Sequence, residues 1–492
     1  MRRIPWTVCA FAAASALVGC SHELPTTRAP SFSSALASSG SIKVVNVSND
    51  TTAQNETPLA VNPVNPLNMI TGNNDWNYND GCGVNATFDG GKTWTPTLPN
   101  GFIPGITAFT NNPDSGGTGT YDFGGDPAVA FSPDGRTAYF SCFGYKGKNV
   151  ALWLSRSIDG GRNWTPGGPD HPLTLVSAFQ GDGRARGSNG QFPDHESITV
   201  APAPDGTIYV PWAHFTGFSG HSPIYIGVSR DGGNSFALPV LVTSGSVHSD
   251  QDARVVVDPA TGYAYLTFDN SILGGKGTAI YVSVSKDHGA TWSKPFQVAL
   301  FQNPVCLFPP YCFNISGAQF RAPGSYPAPA FDPTTRRLYV AYTDIVGGKA
   351  QIFLTYANVS DITKWTRPDS VAPASGDRIN VELSVEPSSG RIDMMTNDRS
   401  YTNNTLFDVS YISSSDHGGS WTTQRVTKTS WDPSQYGVPC GSCTSGVRPF
   451  IGDYDGIVSL AGGAAMTWTG PGKTYGLYPT NLEVLFASAP AP

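Results

Sequence analysis

The chain runs to 492 residues with a formal net charge of −7, and only 14% of its residues are charged. That acidic balance, with no basic stripe and no Lys/Arg patch interleaved with aromatics, excludes a nucleic-acid partner. Its 55 glycines and 40 prolines, set without long helical periodicity, exclude a helical bundle and call for many short strands joined by turns.

Arg2 and Arg3 precede an apolar run from Val8 to Val18, the layout of a secretory signal over residues 1–19. The run is too short to span a bilayer as a helix, and no later stretch is long or apolar enough. Leu17-Val-Gly-Cys20 resembles a bacterial lipobox, whose cysteine is lipidated and becomes the mature N-terminus. Cys20 is therefore the expected lipidation site; the alternative is an ordinary signal peptide with an incidental cysteine. Residues 20–41, rich in Ser, Ala, Thr and Pro, read as a flexible tether. An extracytoplasmic protein is expected, either anchored to the outer membrane by its lipid alone or secreted.

From residue 42 onward one pattern returns: a polar residue, an apolar strand, then a proline-containing turn. It reads Glu56-Thr-Pro-Leu-Ala-Val-Asn-Pro63, Asp126-Pro-Ala-Val-Ala-Phe-Ser-Pro133 and Asp252-Ala-Arg-Val-Val-Val-Asp-Pro259. Tyr326–Pro333 and Asn380–Pro387 keep the spacing, and His195-Glu196-Ser-Ile-Thr-Val-Ala-Pro202 keeps it with a one-residue ambiguity. Phe450–Leu460 is a last variant without the proline. Seven such strands predict an all-β propeller of seven four-stranded blades, with six as the alternative, filling 42–492 as a single domain. Only three strands can be counted in the last blade, so Lys43–Ser48 is expected to pair near Leu482–Phe486 and close the ring. An open ring would leave unpaired sheet edges.

A second pattern, Ser/Thr-x-Asp-x-Gly-x-x-Trp/Phe, alternates with the first at Thr87–Trp94, Ser157–Trp164, Ser229–Phe236, Ser285–Trp292 and Ser414–Trp421. Asp and Gly suit a tight turn, and the aromatic can plug that turn onto its own sheet. These five copies resemble the Asp boxes, or bacterial neuraminidase repeats, of the sialidase-like β-propellers. In that family the boxes sit on the outer rim, away from the active face, so the resemblance implies a fold before it implies a reaction. Known sialidases have six blades, and the count here departs from that. Asn358–Trp365 keeps only the aromatic end of the box.

Setting aside Cys9 and Cys20, six cysteines remain, an even number suited to an oxidising compartment. Cys306 and Cys312 bracket a short loop, Cys440 and Cys443 share another, and Cys82 and Cys142 are left to pair across neighbouring blades.

The inner strands of a propeller line its channel and begin at one mouth. Their first positions here are Glu56, Asp126, His195 or Glu196, Asp252, Tyr326, Asn380, and Asp453 or Asp455. Carboxylates converging on one mouth repel unless a cation, a proton or an arginine offsets them. The plainer reading is that they hydrogen-bond neighbouring blades. The sialidase resemblance implies catalytic candidates in Asp126, Glu196, Asp252, Tyr326, Asp453 and Tyr454, with a tyrosine as nucleophile. It likewise implies a carboxylate-binding arginine cluster from Arg186, Arg321, Arg378 and Arg448. Against it, the family's Arg-Ile-Pro motif occurs here only at Arg3-Ile-Pro5, inside the signal segment. No cofactor is called for; a divalent cation at the mouth, on His195, Glu196 and Asp252, is the alternative. The expected partner is a glycan or glycoconjugate and the expected state a monomer. The function expected is a glycoside hydrolase-type, exo-sialidase-like activity, with a non-catalytic glycan- or protein-binding propeller as the alternative.

Overall fold

A computed structural model describes residues 42–76, 81–97, 123–146, 149–164, 174–180, 191–216, 221–270, 278–302, 325–439, 447–472 and 481–491. The signal segment, Cys20, the tether, Arg186, Arg321, Cys306, Cys312, Cys440 and Cys443 lie outside them.

Seven antiparallel sheets follow one another around a ring. The inner strands of blades two, four, five, six and seven are Phe123–Phe131, Asp250–Val257, Ala328–Asp332, Arg378–Val385 and Gly456–Leu460. In blades one and three the inner strand comes in two pieces, Gln54–Asn55 with Leu59–Val61 and Gln191–Asp194 with Thr199–Val200. Each blade then steps outward through three further strands. Blades pack on both faces, so a middle strand can bury every residue, as Ile392–Asp398 does in blade six. Apolar clusters sit at the joints between consecutive blades rather than in one central core.

The ring closes through its N-terminal segment. Val45 and Asn46 pair with Phe486 and Leu485 as the outermost strand of blade seven, whose other three strands come from the C-terminus. Ser48 Oγ donates to Glu483 Oε2 at 2.6 Å, and Asp50 N donates to the same oxygen at 3.1 Å. Blades one and two are also joined covalently by the Cys82–Cys142 disulfide.

The five repeated turns join the third strand of a blade to its fourth. In Ser157–Trp164, Ser157 Oγ donates to Asp159 Oδ1 at 2.7 Å and accepts from Gly161 N at 2.8 Å. Asp159 Oδ1 also accepts the amides of Arg162 and Asn163. Gly161 has φ 95°, and a Cβ there would stand 2.7 Å from Ile70 of the preceding blade. Trp164 packs among Ile70, Val84 and Phe140 and donates to Thr97 Oγ1 at 2.9 Å. The aromatic therefore plugs the joint to the blade before it and not only its own sheet. Because these turns end third strands, they lie on the face opposite the start of the inner strands.

Candidate functional site at the channel mouth

The inner strands share a backbone break near their starts. Glu56, Asp126, His195, Asp252 and Asn380 all take left-handed φ values between 50° and 59°. In blades two, four and six the pairing register shifts at that residue, between Gly125 and Ala128, Gln251 and Arg254, and Ile379 and Glu382. In blades one and three the break falls between the two pieces of the strand. Such a bulge leaves one residue unpaired and re-aims it, here into the mouth. Asp, Asn and His are the non-glycine residues that tolerate this conformation best, but Glu56 adopts it too, so residue type gave a preference and not a rule. It places His195, not Glu196, in register with Asp126 and Asp252.

His195 joins its neighbours on both sides. Its backbone N–H donates to Asp126 Oδ2 at 2.7 Å, and its Nε2 lies 2.8 Å from Asp252 Oδ1. Asp252 Oδ1 also takes Arg254 Nε at 2.8 Å, while its Oδ2 has no partner among the described residues. Arg254 then crosses from blade four to Glu382 of blade six with a two-pronged pair, one prong at 3.0 Å. Arg254 was missed in the sequence; its signal is its place two residues after Asp252, just past the bulge. Tyr326 and Tyr454 flank the imidazole, with ring centroids 5.0 and 4.6 Å away. Tyr454 is buried, and its hydroxyl donates to Pro127 O at 2.9 Å.

A second group of acids sits beside this network. Glu56 accepts from Asn74 Nδ2 at 2.6 Å and from Asp453 N at 3.2 Å. Asp194 accepts from Gln251 Nε2. Glu196 is 2% exposed, and neither of its oxygens has a hydrogen-bond partner among the described residues. Asp455 accepts from Asn380 Nδ2 at 2.6 Å and from Thr469 N at 3.1 Å.

The two groups hold protons differently. Burial, then the carboxyls of Glu56, Asp194 and Glu196, push Asp126 well above the usual carboxylate range. Burial, then Asp194 and Glu56, do the same to Glu196. Burial would raise Asp252 too, but Arg254 and then His195 outweigh it and hold this carboxyl below its ordinary value. Burial would lower the His195 imidazole, yet Asp252 more than offsets that and holds it up. Burial and Glu382 push Asp455 up to about 8.

The site thus brings together Asp126, Glu196, Asp252, Tyr326, Asp453 and Tyr454. Arg378 is elsewhere engaged: it is buried, with Nε 2.8 Å from Asp398 Oδ2 of its own blade. Arg448 pairs by its backbone with Val438 in a small hairpin before blade seven. Among the described residues no group of three His, Cys, Asp or Glu side chains converges as metal ligands.

No protein-family model matches this chain, and no curated protein is similar to it in sequence. Solved structures with a comparable arrangement exist. A Hadza microbial sialidase is 14% identical with a TM-score of 0.44, over 75% of this chain and 65% of that one. A Penicillium chrysogenum alpha-L-arabinanase complexed with arabinobiose is 12% identical with a TM-score of 0.46, over 92% and 98%. An ulvan lyase of polysaccharide lyase family 25 is 14% identical with a TM-score of 0.47, over 87% and 93%. At such identities chemistry does not transfer with the fold, and function has to be argued from the mouth itself.

Proposed function

We propose that the channel mouth cleaves a glycosidic bond by paired-carboxyl catalysis, with Asp126 as the acid and Asp252 as the base or nucleophile. One observation carries this reading. Two buried carboxyls in blades two and four are tied through a single residue, His195, and their environments pull their proton affinities apart. Two acids with opposed affinities are what glycoside hydrolysis requires: one to protonate the leaving oxygen, one to attack or to activate water. Asp126 keeps its proton beside other acids. Asp252 stays ionised against Arg254 and His195, with one oxygen unengaged among the described residues.

The test is turnover on a panel of sialosides and neutral glycans, with and without chelator. Asp126→Asn and Asp252→Asn should each lower kcat by about 10²–10⁴-fold. Release of sialic acid would support the exo-sialidase form of the reading, and loss on chelation would favour a mouth cation. A binding-only mouth has one observation in its favour, the His195 ring filled on two sides by Tyr326 and Tyr454. Glycan binding that survives both substitutions, with no turnover in the parent protein, would decide for it.

A further inference from the structure

Three further acids, Glu56, Asp194 and Glu196, meet Asp126 of the catalytic pair, and all but one of these four carboxyls are served by donors. Asn74 and the Asp453 amide serve Glu56, Gln251 serves Asp194, and the His195 amide serves Asp126. Glu196 is the exception: it is 2% exposed, no other described residue donates to either of its oxygens, and the one donor that eases its charge is its own backbone N–H. The Tyr454 hydroxyl offers it nothing, because it spends its one hydrogen on Pro127 O. Leaving a buried carboxyl unmet is costly, and such a group in a folded protein calls for a partner.

We infer that Glu196 is the recognition point for a protonated primary amine, and that the glycan taken at this mouth carries a free amino sugar. This rests on the glycosidase reading above. An ammonium supplies three N–H donors and one positive charge. One charge suits a single unserved carboxylate whose neighbours, Glu56 and Asp194, already hold hydrogen bonds. A divalent ion would want several converging ligands, and no such group of three occurs among the described residues. Binding an ammonium converts a protonated Glu196, next to Asp194, Glu56, Asp126 and Tyr454, into a carboxylate, so a proton leaves as the ligand arrives.

The experiment is calorimetric binding of tri-glucosamine and of its N-acetylated counterpart to the whole protein at pH 6.5. Tri-glucosamine should bind at least about ten-fold more tightly, which corresponds to ~1.4 kcal/mol. Its heat should vary with buffer ionisation enthalpy, as proton release demands. Glu196→Gln should abolish both the preference and the proton release, bringing the affinity for tri-glucosamine down to that for the acetylated ligand. Asp126→Asn should keep the preference while losing turnover, so a failed catalytic reading and a failed amine reading give different results. Equal binding of the two sugars by the parent protein would overturn the inference, as would a preference that persists in Glu196→Gln. Tri-lysine binding as tight as tri-glucosamine would overturn the sugar assignment. A large fall in melting temperature for Glu196→Gln with no change in ligand preference would also overturn it, by showing an internal counter-charge.

Discussion

Arg254 holds the mouth in its charge state. It is the cation shared by Asp252 and Glu382, and its own proton is held more firmly than usual by both. Arg254→Met should leave buried Glu382 without its cation and Asp252 with His195 alone, at a cost of roughly 3–5 kcal/mol at neutral pH. The Asp252 carboxyl, depressed mainly by Arg254, should rise, carrying the acid limb of kcat/KM upward by about one pH unit or more. The sign for stability follows. A depressed carboxyl stabilises the fold above its unfolded value and loses that contribution as pH falls through its folded value. That loss falls below the ordinary carboxylate value, whereas in Arg254→Met burial should raise Asp252 and Glu382 so that they take up protons as pH falls, and the deficit should shrink from pH 7 to pH 4. A deficit that stays constant across that range would mean that Arg254 acts by packing alone. Glu56, Asp126 and Asp252 were legible in the sequence because they recur at one position of a repeat, whereas Asp194 and Glu382 stand off that position and were not. Arg254 and the choice of His195 over Glu196 were not, because both depend on a bulge that leaves no fixed residue, only a preference for Asp, Asn and His.

At the scale of a single element, the repeated turn separates fold from function. Its hydrogen bonds are local and its composition is strict, so it could be read directly: Ser and Asp serve turn amides, and Gly supplies positive φ. What could not be read was the destination of its aromatic. A Trp in a turn is equally suited to its own sheet or to the next one, and only the stacking of blades settles that Trp164 meets Ile70 and Val84 of blade one. Trp164→Ala should then loosen a joint between blades and cost about 3–5 kcal/mol. Gly161→Ala should cost about 1–3 kcal/mol, from φ strain and a Cβ 2.7 Å from Ile70. Both should melt early and keep ligand affinity at temperatures where they are folded. Affinity lost in step with neither variant's stability would place part of the site on the turn face.

At the scale of the whole molecule, the order of the chain decides what holds the ring shut. Consecutive blades are linked by the chain itself, but the joint that brings the last blade to the first has no such link. Blade seven instead borrows its outer strand from the N-terminal segment, so breaking the ring requires breaking Val45 and Asn46 away from Phe486 and Leu485. The seam is short, only two paired residues, and is extended by Val47 N bonding Val484 O and by the Ser48 and Asp50 bonds to Glu483. Removing residues 1–48 should strip this seam, expose the edge of the Leu482–Pro490 strand and lower the melting temperature of the entire domain. Removing residues 1–39 leaves the seam intact and should leave melting unchanged. Ser48→Ala is the finer probe, since it deletes one hydroxyl that donates to Glu483 and accepts from Val484 N, for an expected loss of about 1 kcal/mol. Equal melting of the two truncations would mean that the ring is held by the packing of blades alone, and that the N-terminal strand merely decorates an edge which is already stable.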